Sequence, residues 1–117
     1  MSYVDGFLLP IKKKNLPAYR SMARKACKIW LELGALEYHE CVGDDLDSPP
    51  MVPFTKLAST LPGETVVFSW VVFKSRAHRD RVNAKIMKDP RIALLVKVMP
   101  FDCTRMAYGG FKTLVKG

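Results

Sequence analysis

The sequence predicts an α+β fold in which two helices cover one face of a four-stranded antiparallel sheet, in the ferredoxin-like order β-α-β-β-α-β. Two observations predict this fold: four segments have the pattern of strands and two have helical spacing, and they follow one another in that order. The 117 residues suit one domain, over residues 1–117. With 49% hydrophobic residues, the chain can form a core without disulfides or a structural metal.

The first part of the chain is predicted to form a strand, a helix and a second strand. Residues 3–11 are rich in aromatic and branched side chains, which favours a strand. Asn15 as N-cap and Pro17 in the first turn then start an amphipathic helix, which Gly34 ends. Residues 35–43 follow with the period of two that is typical of a strand.

A long loop and a strongly apolar strand come next. Residues 44–62 contain four prolines and predict a loop with a short element around residues 54–61, which we expect to act as a lid or mobile connection. Residues 64–74 are almost continuously apolar and β-branched. This pattern predicts a strand that is buried on both faces.

The last third of the chain supplies a helix and the final strand. Ser75 is expected to cap a helix that reaches Lys88, and Asp89-Pro90 stops it. Residues 92–99 are apolar and fit either a short helix or an extended stretch. Residues 105–116 predict the fourth strand, in which Gly109-Gly110 indicates a bulge or a close approach of backbone.

Two helices can cover only one face of such a sheet, so the pattern of the third strand predicts a partner on the other face. A second copy of the chain is the simplest partner, because closed two-fold dimers are the commonest oligomers. We therefore expect a homodimer with facing sheets, that is, a dimeric α/β barrel.

Several segments of the chain also resemble a known family. They are YVDGF (3–7), LEYHE (36–40), ETVVFSW (64–70), KSRAHRDRVNAKIMKDPR (74–91), MPFD (99–102) and RMAYGGF (105–111). In matching order over nearly the whole chain, they are similar to the YbaA-like family of small bacterial proteins. The resemblance implies the dimeric α/β-barrel superfamily and supplies no reaction. That superfamily includes cofactor-independent monooxygenases, isomerases and ligand-binding domains, so its fold is a weak guide to function.

The second helix carries the polar residues that most need an explanation. If Val82 and Ile86 form its buried stripe, helical rotation puts Arg79 and Asn83 on the same face. A guanidinium that is turned toward a sheet needs a carboxylate or an anion.

Asp5, Glu37 and Glu40 are the candidate partners of Arg79. One interpretation is a fold-stabilising ion pair, and the other is a ligand site that includes Arg79, Asn83, Glu37 and Glu40.

His78 and Asp5 are the candidate catalytic residues. His78 lies in the first turn of the helix, where the N-terminus favours a neutral ring, so it could act as a general base or simply bond a loop. Asp5 is unusual in a strand and is either the counter-ion of Arg79 or an acid–base group. Glu37, His39 and Cys41 share one face of the second strand, as either a weak metal site or the solvated side of an edge strand. The solvated interpretation is favoured, and no metal site is predicted.

Aromatic side chains are expected near the barrel interior, either as packing or as a cage for a planar ligand. Trp70 and Tyr108 are the candidate ligand contacts among them, with Phe68, Phe73 and Phe111 beside them.

Three classes of function remain open. The first is a homodimer that binds a small organic or anionic ligand in a pocket between sheet and helices. The second is a cofactor-independent enzyme, monooxygenase- or isomerase-like, that acts on a small organic substrate. The third is a basic module that binds RNA or another polyanion, which the net charge of +8 permits but the lack of interleaved aromatics disfavours.

The remaining expectations concern cofactors and location. No nucleophile elbow, phosphate-binding glycine loop or dinucleotide motif occurs, and no cofactor is predicted. Cys27, Cys41 and Cys103 are expected to be free thiols. The charges near the N-terminus follow the short apolar stretch, and no apolar run could span a membrane, so we expect a cytoplasmic protein.

Overall fold

The computed structural model describes residues 2–117 and contains one four-stranded sheet, in which every neighbouring pair is antiparallel. The strand order is β2-β3-β1-β4, which is consistent with the ferredoxin-like pattern. The predicted α+β class is confirmed. The strands are β1 (Tyr3–Lys12), β2 (Glu37–Val42), β3 (Glu64–Phe73) and β4 (Ala107–Lys112).

Four helices accompany the sheet: α1 (Leu16–Glu32), α2 (Phe54–Leu57), α3 (Arg76–Lys88) and α4 (Pro90–Lys97). The apolar stretch of residues 92–99, which fits either a short helix or an extended stretch by sequence, lies mostly in helix α4. Asp89 caps it, because its side chain accepts a hydrogen bond from the Arg91 N–H. Within residues 2–117, no helix combines the length and the apolar character that crossing a bilayer requires.

The helix boundaries agree with the sequence signals except at one cap. Ser75 caps α3 by accepting a hydrogen bond from the His78 N–H at 3.1 Å. Gly34 follows α1 with φ +123°, a conformation that favours glycine. Asn15 is the N-cap residue of α1 as predicted, but its side chain makes no capping bond and donates instead to the Pro100 carbonyl at 3.2 Å.

One face of the sheet carries the helices and the core. Odd-numbered residues of β1 and β3 point to this helix face, with Tyr3 opposite Phe73, Leu9 opposite Val67, and Ile11 opposite Thr65. All of these side chains are buried. The buried stripe of α1 packs on this face, and Val82 and Ile86 of α3 do the same, as their spacing predicts.

The other face of the sheet is open and apolar. It presents Phe68 and Trp70 of β3 beside His39 and Cys41 of β2, with Phe111 of β4 at the far edge. Phe68 is 43% exposed and Phe111 is 61% exposed. We call this surface the open face.

The predicted aromatic surface is therefore divided between two faces. Phe73 is fully buried in the core under the helices, and Tyr108 lies on the helix face opposite Phe7. Trp70, Phe68 and Phe111 lie on the open face, so these five side chains do not line one interior.

The loop of residues 44–62 runs beside the open face. Its short helix α2 places Phe54 against Phe68, with ring centroids 5.8 Å apart. The loop therefore contacts the side of the sheet that faces away from the helices.

Candidate functional site

A cavity of about 170 Å³ lies between the helix face of the sheet and helices α1 and α4. Most of its wall is apolar, and the side chains come from both layers and from residues 99–106. They include Phe7, Leu9, Met22, Trp30, Leu95 and Met106. We call this space the helix-side cavity. No residue of the 44–62 loop lines it, so the expected lid does not cover this cavity.

The polar part of the cavity wall is centred on Glu40. This residue lies on the helix face of β2, because it is opposite the buried Ser69 of β3. The hydroxyl of Tyr19 donates to Glu40 Oε1 at 2.7 Å, and the hydroxyl of Tyr38 donates to Oε2 at 2.7 Å. Both carboxylate oxygens accept a hydrogen bond, so the negative charge of Glu40 is shared by two donors.

Both tyrosines remain protonated donors. Burial, together with the neighbouring charge of Glu40, raises the pKa of Tyr19 and of Tyr38 far above the ordinary value for a phenol. Their positions follow from local sequence, since Tyr19 belongs to the buried stripe of α1 and Tyr38 lies two residues before Glu40 on the same strand face.

Ser69 supplies a second polar group to the cavity. It is buried on the central strand β3, directly opposite Glu40. Within the described part of the chain, its hydroxyl makes no hydrogen bond to another residue. A carboxylate acceptor and an unused hydroxyl therefore lie side by side in an otherwise apolar wall.

A wider groove of about 680 Å³ lies between α1 and β2, and we call it the outer groove. Tyr19, Tyr38 and Glu40 line both spaces. The groove also contacts Arg20, Arg24 and Cys27. Burial and the charge of Glu40 raise the pKa of the Cys27 thiol, which makes it a poor nucleophile at neutral pH.

A separate polar cluster surrounds Asp5 under helix α3. Asp5 is only 2% exposed, and its Oδ1 lies 3.6 Å from Arg79 Nε, while Asn83 Nδ2 lies 3.4 Å from its Oδ2. The guanidinium of Arg79 also donates to the hydroxyls of Tyr3 at 3.0 Å and of Tyr108 at 3.3 Å. Of the three candidate carboxylates, Asp5 is therefore the one that meets Arg79.

The protonation of this cluster reflects its burial. Burial raises the pKa of Asp5, although the positive charge of Arg79 opposes the shift. Burial disfavours the charge of Arg79 as well, but the hydrogen bond to Tyr3 and the charge of Asp5 outweigh it and raise the pKa of the guanidinium. Among residues 2–117, Asp5 Oδ1 and Arg79 Nε are the buried side-chain atoms without a hydrogen bond, and they face each other.

Glycine 110 allows this cluster to pack against β4. A Cβ atom at this position would lie 2.8 Å from Nη2 of Arg79, and still closer to the Tyr3 hydroxyl. The Gly-Gly pair therefore marks a close approach, as the sequence suggested, and what approaches is a side-chain cluster.

His78 lies outside both groups of polar residues. Its Nδ1 accepts a hydrogen bond from the Lys74 N–H at 3.0 Å. Burial, followed by the charges of Lys74 and Arg81, lowers the pKa of His78. This contact gives His78 a role in joining the end of β3 to the start of α3.

Glu37 and Trp70, two of the predicted ligand contacts, lie on the open face. Glu37 meets His39 at 3.1 Å, and the His39 ring stacks on Trp70 with centroids 4.6 Å apart. The structure thus separates them from Arg79 by the sheet itself. Within residues 2–117 no three His, Cys, Asp or Glu side chains are grouped so that they could hold a metal ion.

The sequence reasoning missed Tyr19, Tyr38 and Ser69 as site residues. One signal was available, because Glu40 is a charged residue in the apolar set of alternating positions of β2. A carboxylate on a buried strand face requires donors, and the nearest tyrosine on that face is Tyr38. Ser69 gave no signal, since a small polar residue in a buried strand is common.

Comparisons with known proteins agree with the resemblance seen in the sequence. A family model described as "Protein of unknown function (DUF1428)" matches residues 2–103. The chain is 40% identical over 115 residues to "Uncharacterized protein YbaA" of Escherichia coli (strain K12), which covers 98% of each chain. The protein of the same description from Shigella flexneri has the same identity and coverage.

Proposed function

We propose that this chain, which belongs to the DUF1428 family, forms a homodimer through its open face and binds a small organic molecule in the helix-side cavity. The observation that carries the binding proposal is the cavity itself, an apolar space with one carboxylate in its wall. An apolar recess with a few convergent polar groups is the usual form of a small-molecule site.

The dimensions of the cavity limit the ligand. Its volume of about 170 Å³ is below the range of drug-sized sites and close to that of a cavity known to hold benzene, about 150 Å³. A ligand that is buried there has one ring or a short chain. A larger ligand would have to extend past Tyr19 and Glu40 into the outer groove.

A filling substitution tests the binding proposal. Ala26 of α1 is buried and lines the cavity, so Ala26→Leu places three further carbon atoms in the space. We expect toluene to bind the unmodified protein in solution NMR and to lose its binding in Ala26→Leu, with Ala26→Val intermediate. Equal toluene binding by folded Ala26→Leu would contradict the proposal.

The dimer proposal rests on the open face. Phe68, Trp70 and Phe111 give this surface a continuous apolar character, and each half-exposed phenylalanine gains roughly 1 kcal/mol when a partner covers it. The pattern of β3 suits a second copy, because a two-fold axis lets the same surface cover itself.

Sedimentation velocity tests the dimer with a matched pair of variants. Phe68→Arg places a charge on the open face, whereas Met87→Arg places one at an exposed apolar position of α3 in the helix layer. We expect the unmodified protein and Met87→Arg to be dimers and Phe68→Arg to be a monomer. A monomeric unmodified protein, or a dimeric Phe68→Arg, would refute this interface.

The Asp5 cluster supports a second candidate, a cofactor-independent enzyme. A buried carboxyl with a raised pKa beside the half-exposed residue Tyr108 has the character of an acid–base group. Once a substrate is identified, Asp5→Asn should abolish its turnover, while toluene binding in the separate helix-side cavity should be unchanged. Unchanged turnover would eliminate Asp5 as the acid–base group.

We also propose a cytoplasmic location. Cys27, Cys41 and Cys103 are all free thiols, a state that a reducing compartment maintains.

A further inference from the structure

We infer that the ligand of the helix-side cavity is a small neutral molecule whose hydroxyl group on an apolar ring or chain is held between Glu40 and Ser69. This inference rests on the proposed binding function and specifies the ligand chemistry. It starts from the two polar groups of the cavity wall, which lie opposite each other on β2 and β3.

Glu40 requires that the ligand group facing it donates a hydrogen bond. As a carboxylate that receives one hydrogen bond on each oxygen from the tyrosines, it still has free lone pairs and has no hydrogen to give. A ligand group that faces it must therefore donate. An anionic group is excluded here, because two like charges in an apolar space repel strongly.

Ser69 favours a ligand group that can accept a hydrogen bond from its hydroxyl. Its side chain lines the cavity, and its hydroxyl makes no hydrogen bond to another residue that the structure describes, so this hydroxyl is available to a ligand. It can donate to a ligand oxygen. Because directly opposed residues place their Cβ atoms about 5 Å apart, one ligand oxygen can accept from Ser69 and donate to Glu40.

A hydroxyl group satisfies both requirements with one atom, whereas an ammonium group can only donate and a carboxylate only accept. The rest of the ligand meets Phe7, Leu9, Trp30 and Leu95, so it must be apolar. The cavity volume limits it to about the size of one aromatic ring. A phenol is the simplest molecule with these properties.

Three probes of matched size test the inference by solution NMR titration: phenol, toluene and benzoate. We expect phenol to bind the unmodified protein about tenfold more tightly than toluene, since hydrogen bonds to a charged group are strong. Benzoate should bind more weakly than toluene. Phenol binding no tighter than toluene, or benzoate binding tightest, would overturn the inference.

Two substitutions assign the preference to the two residues. Ser69→Ala removes an unpartnered hydroxyl, so it should fold at least as stably as the parent and lose most of the preference for phenol over toluene. Glu40→Gln should reduce the same preference and relieve the exclusion of benzoate. If both variants kept the full preference, another group would have to bind the hydroxyl, and the inference would be wrong.

The filled-cavity variant Ala26→Leu separates the two proposals. If it blocks all probes but phenol and toluene bind the parent equally, the cavity binds ligands and only the inferred chemistry fails. If no probe binds the parent, or folded Ala26→Leu binds them unchanged, the proposed binding function fails and the inference fails with it.

Discussion

Replacement of Arg79 by methionine tests the role of the buried ion pair most sharply. Methionine keeps much of the length and apolar stem of arginine but removes its charge and its donors. In this variant the carboxylate of Asp5, which is 2% exposed, loses its counter-ion, and the Tyr3 hydroxyl loses a partner. Asn83 and Tyr108 remain near Asp5, so the loss is partial.

The expected loss is about 3 kcal/mol of unfolding free energy, at the low end for breaking a buried pair, because the Arg79 side chain is 17% exposed. The unfolding entropy is about 2.1 cal/mol/K per residue, so for the 117-residue chain the total unfolding entropy is roughly 0.25 kcal/mol/K. The melting temperature should therefore fall by about 12 °C at constant protein concentration.

The unfolding free energy that Arg79→Met loses relative to the parent, its stability deficit, should also depend on pH. Without Arg79, the pKa of Asp5 rises further, because burial is then less opposed. A folded protein whose carboxyl has a raised pKa gains stability, relative to unfolded chain, as pH falls and the group becomes neutral. The deficit of Arg79→Met should thus be largest at pH 8 and smaller at pH 5.

Urea unfolding of the parent, Arg79→Met, Asp5→Asn and the double variant measures these quantities. The double variant should be less destabilised than the sum of the two single ones, since neither charge is then left alone. A loss under 1 kcal/mol for Arg79→Met, or a deficit that is independent of pH, would refute this account of the ion pair.

Three further predictions follow from single positions. His78 should titrate below pH 6.5 by NMR, and folding stability should decrease as pH falls through 6.5 because the folded state resists protonation; a pKa of 6.5 or above would contradict this. Hydrogen bonds from Arg105 and a backbone N–H lower the pKa of Glu64 to about 2. The parent protein should therefore lose stability as pH falls from 4.5 to 2, and Glu64→Gln should lose less over this range. Acid titration of unfolding measures both losses. Gly110→Ala should destabilise by roughly 1–3 kcal/mol in urea, since its Cβ meets the buried guanidinium, whereas Gly109→Ala, with its nearest contact at 3.5 Å, should unfold at nearly the parental urea concentration.

Local patterns in the sequence were sufficient to predict the four strands, the two long helices and the buried stripe of α3. The period of two in residues 35–43 and the helical stripe through Val82 and Ile86 depend only on neighbours a few residues away. They therefore placed Arg79 on the buried side of α3 correctly. The antiparallel sheet followed from the order of the elements.

The choice among partners could not be predicted in the same way. Three carboxylates were candidates for Arg79, and only the strand order, with β1 central under α3, brings Asp5 to it. Glu40 lies on the edge strand β2, where Tyr19 of α1 reaches it instead. Such contacts join residues that are far apart in the chain.

The cavity was hidden for a related reason. Part of its wall comes from α4, a segment whose short apolar run fits a helix and a strand equally well. A space between two layers also depends on how completely their side chains fill it, and residue periodicity does not report that quantity.

Native mass spectrometry of the protein as purified from cells tests the central claim most directly. Under gentle desolvation, we predict a dimer in which each protomer carries the same small extra mass, and a dimer of Ala26→Leu that carries none. A bare dimer of the unmodified protein would contradict the proposed ligand, and a monomer would contradict the proposed assembly.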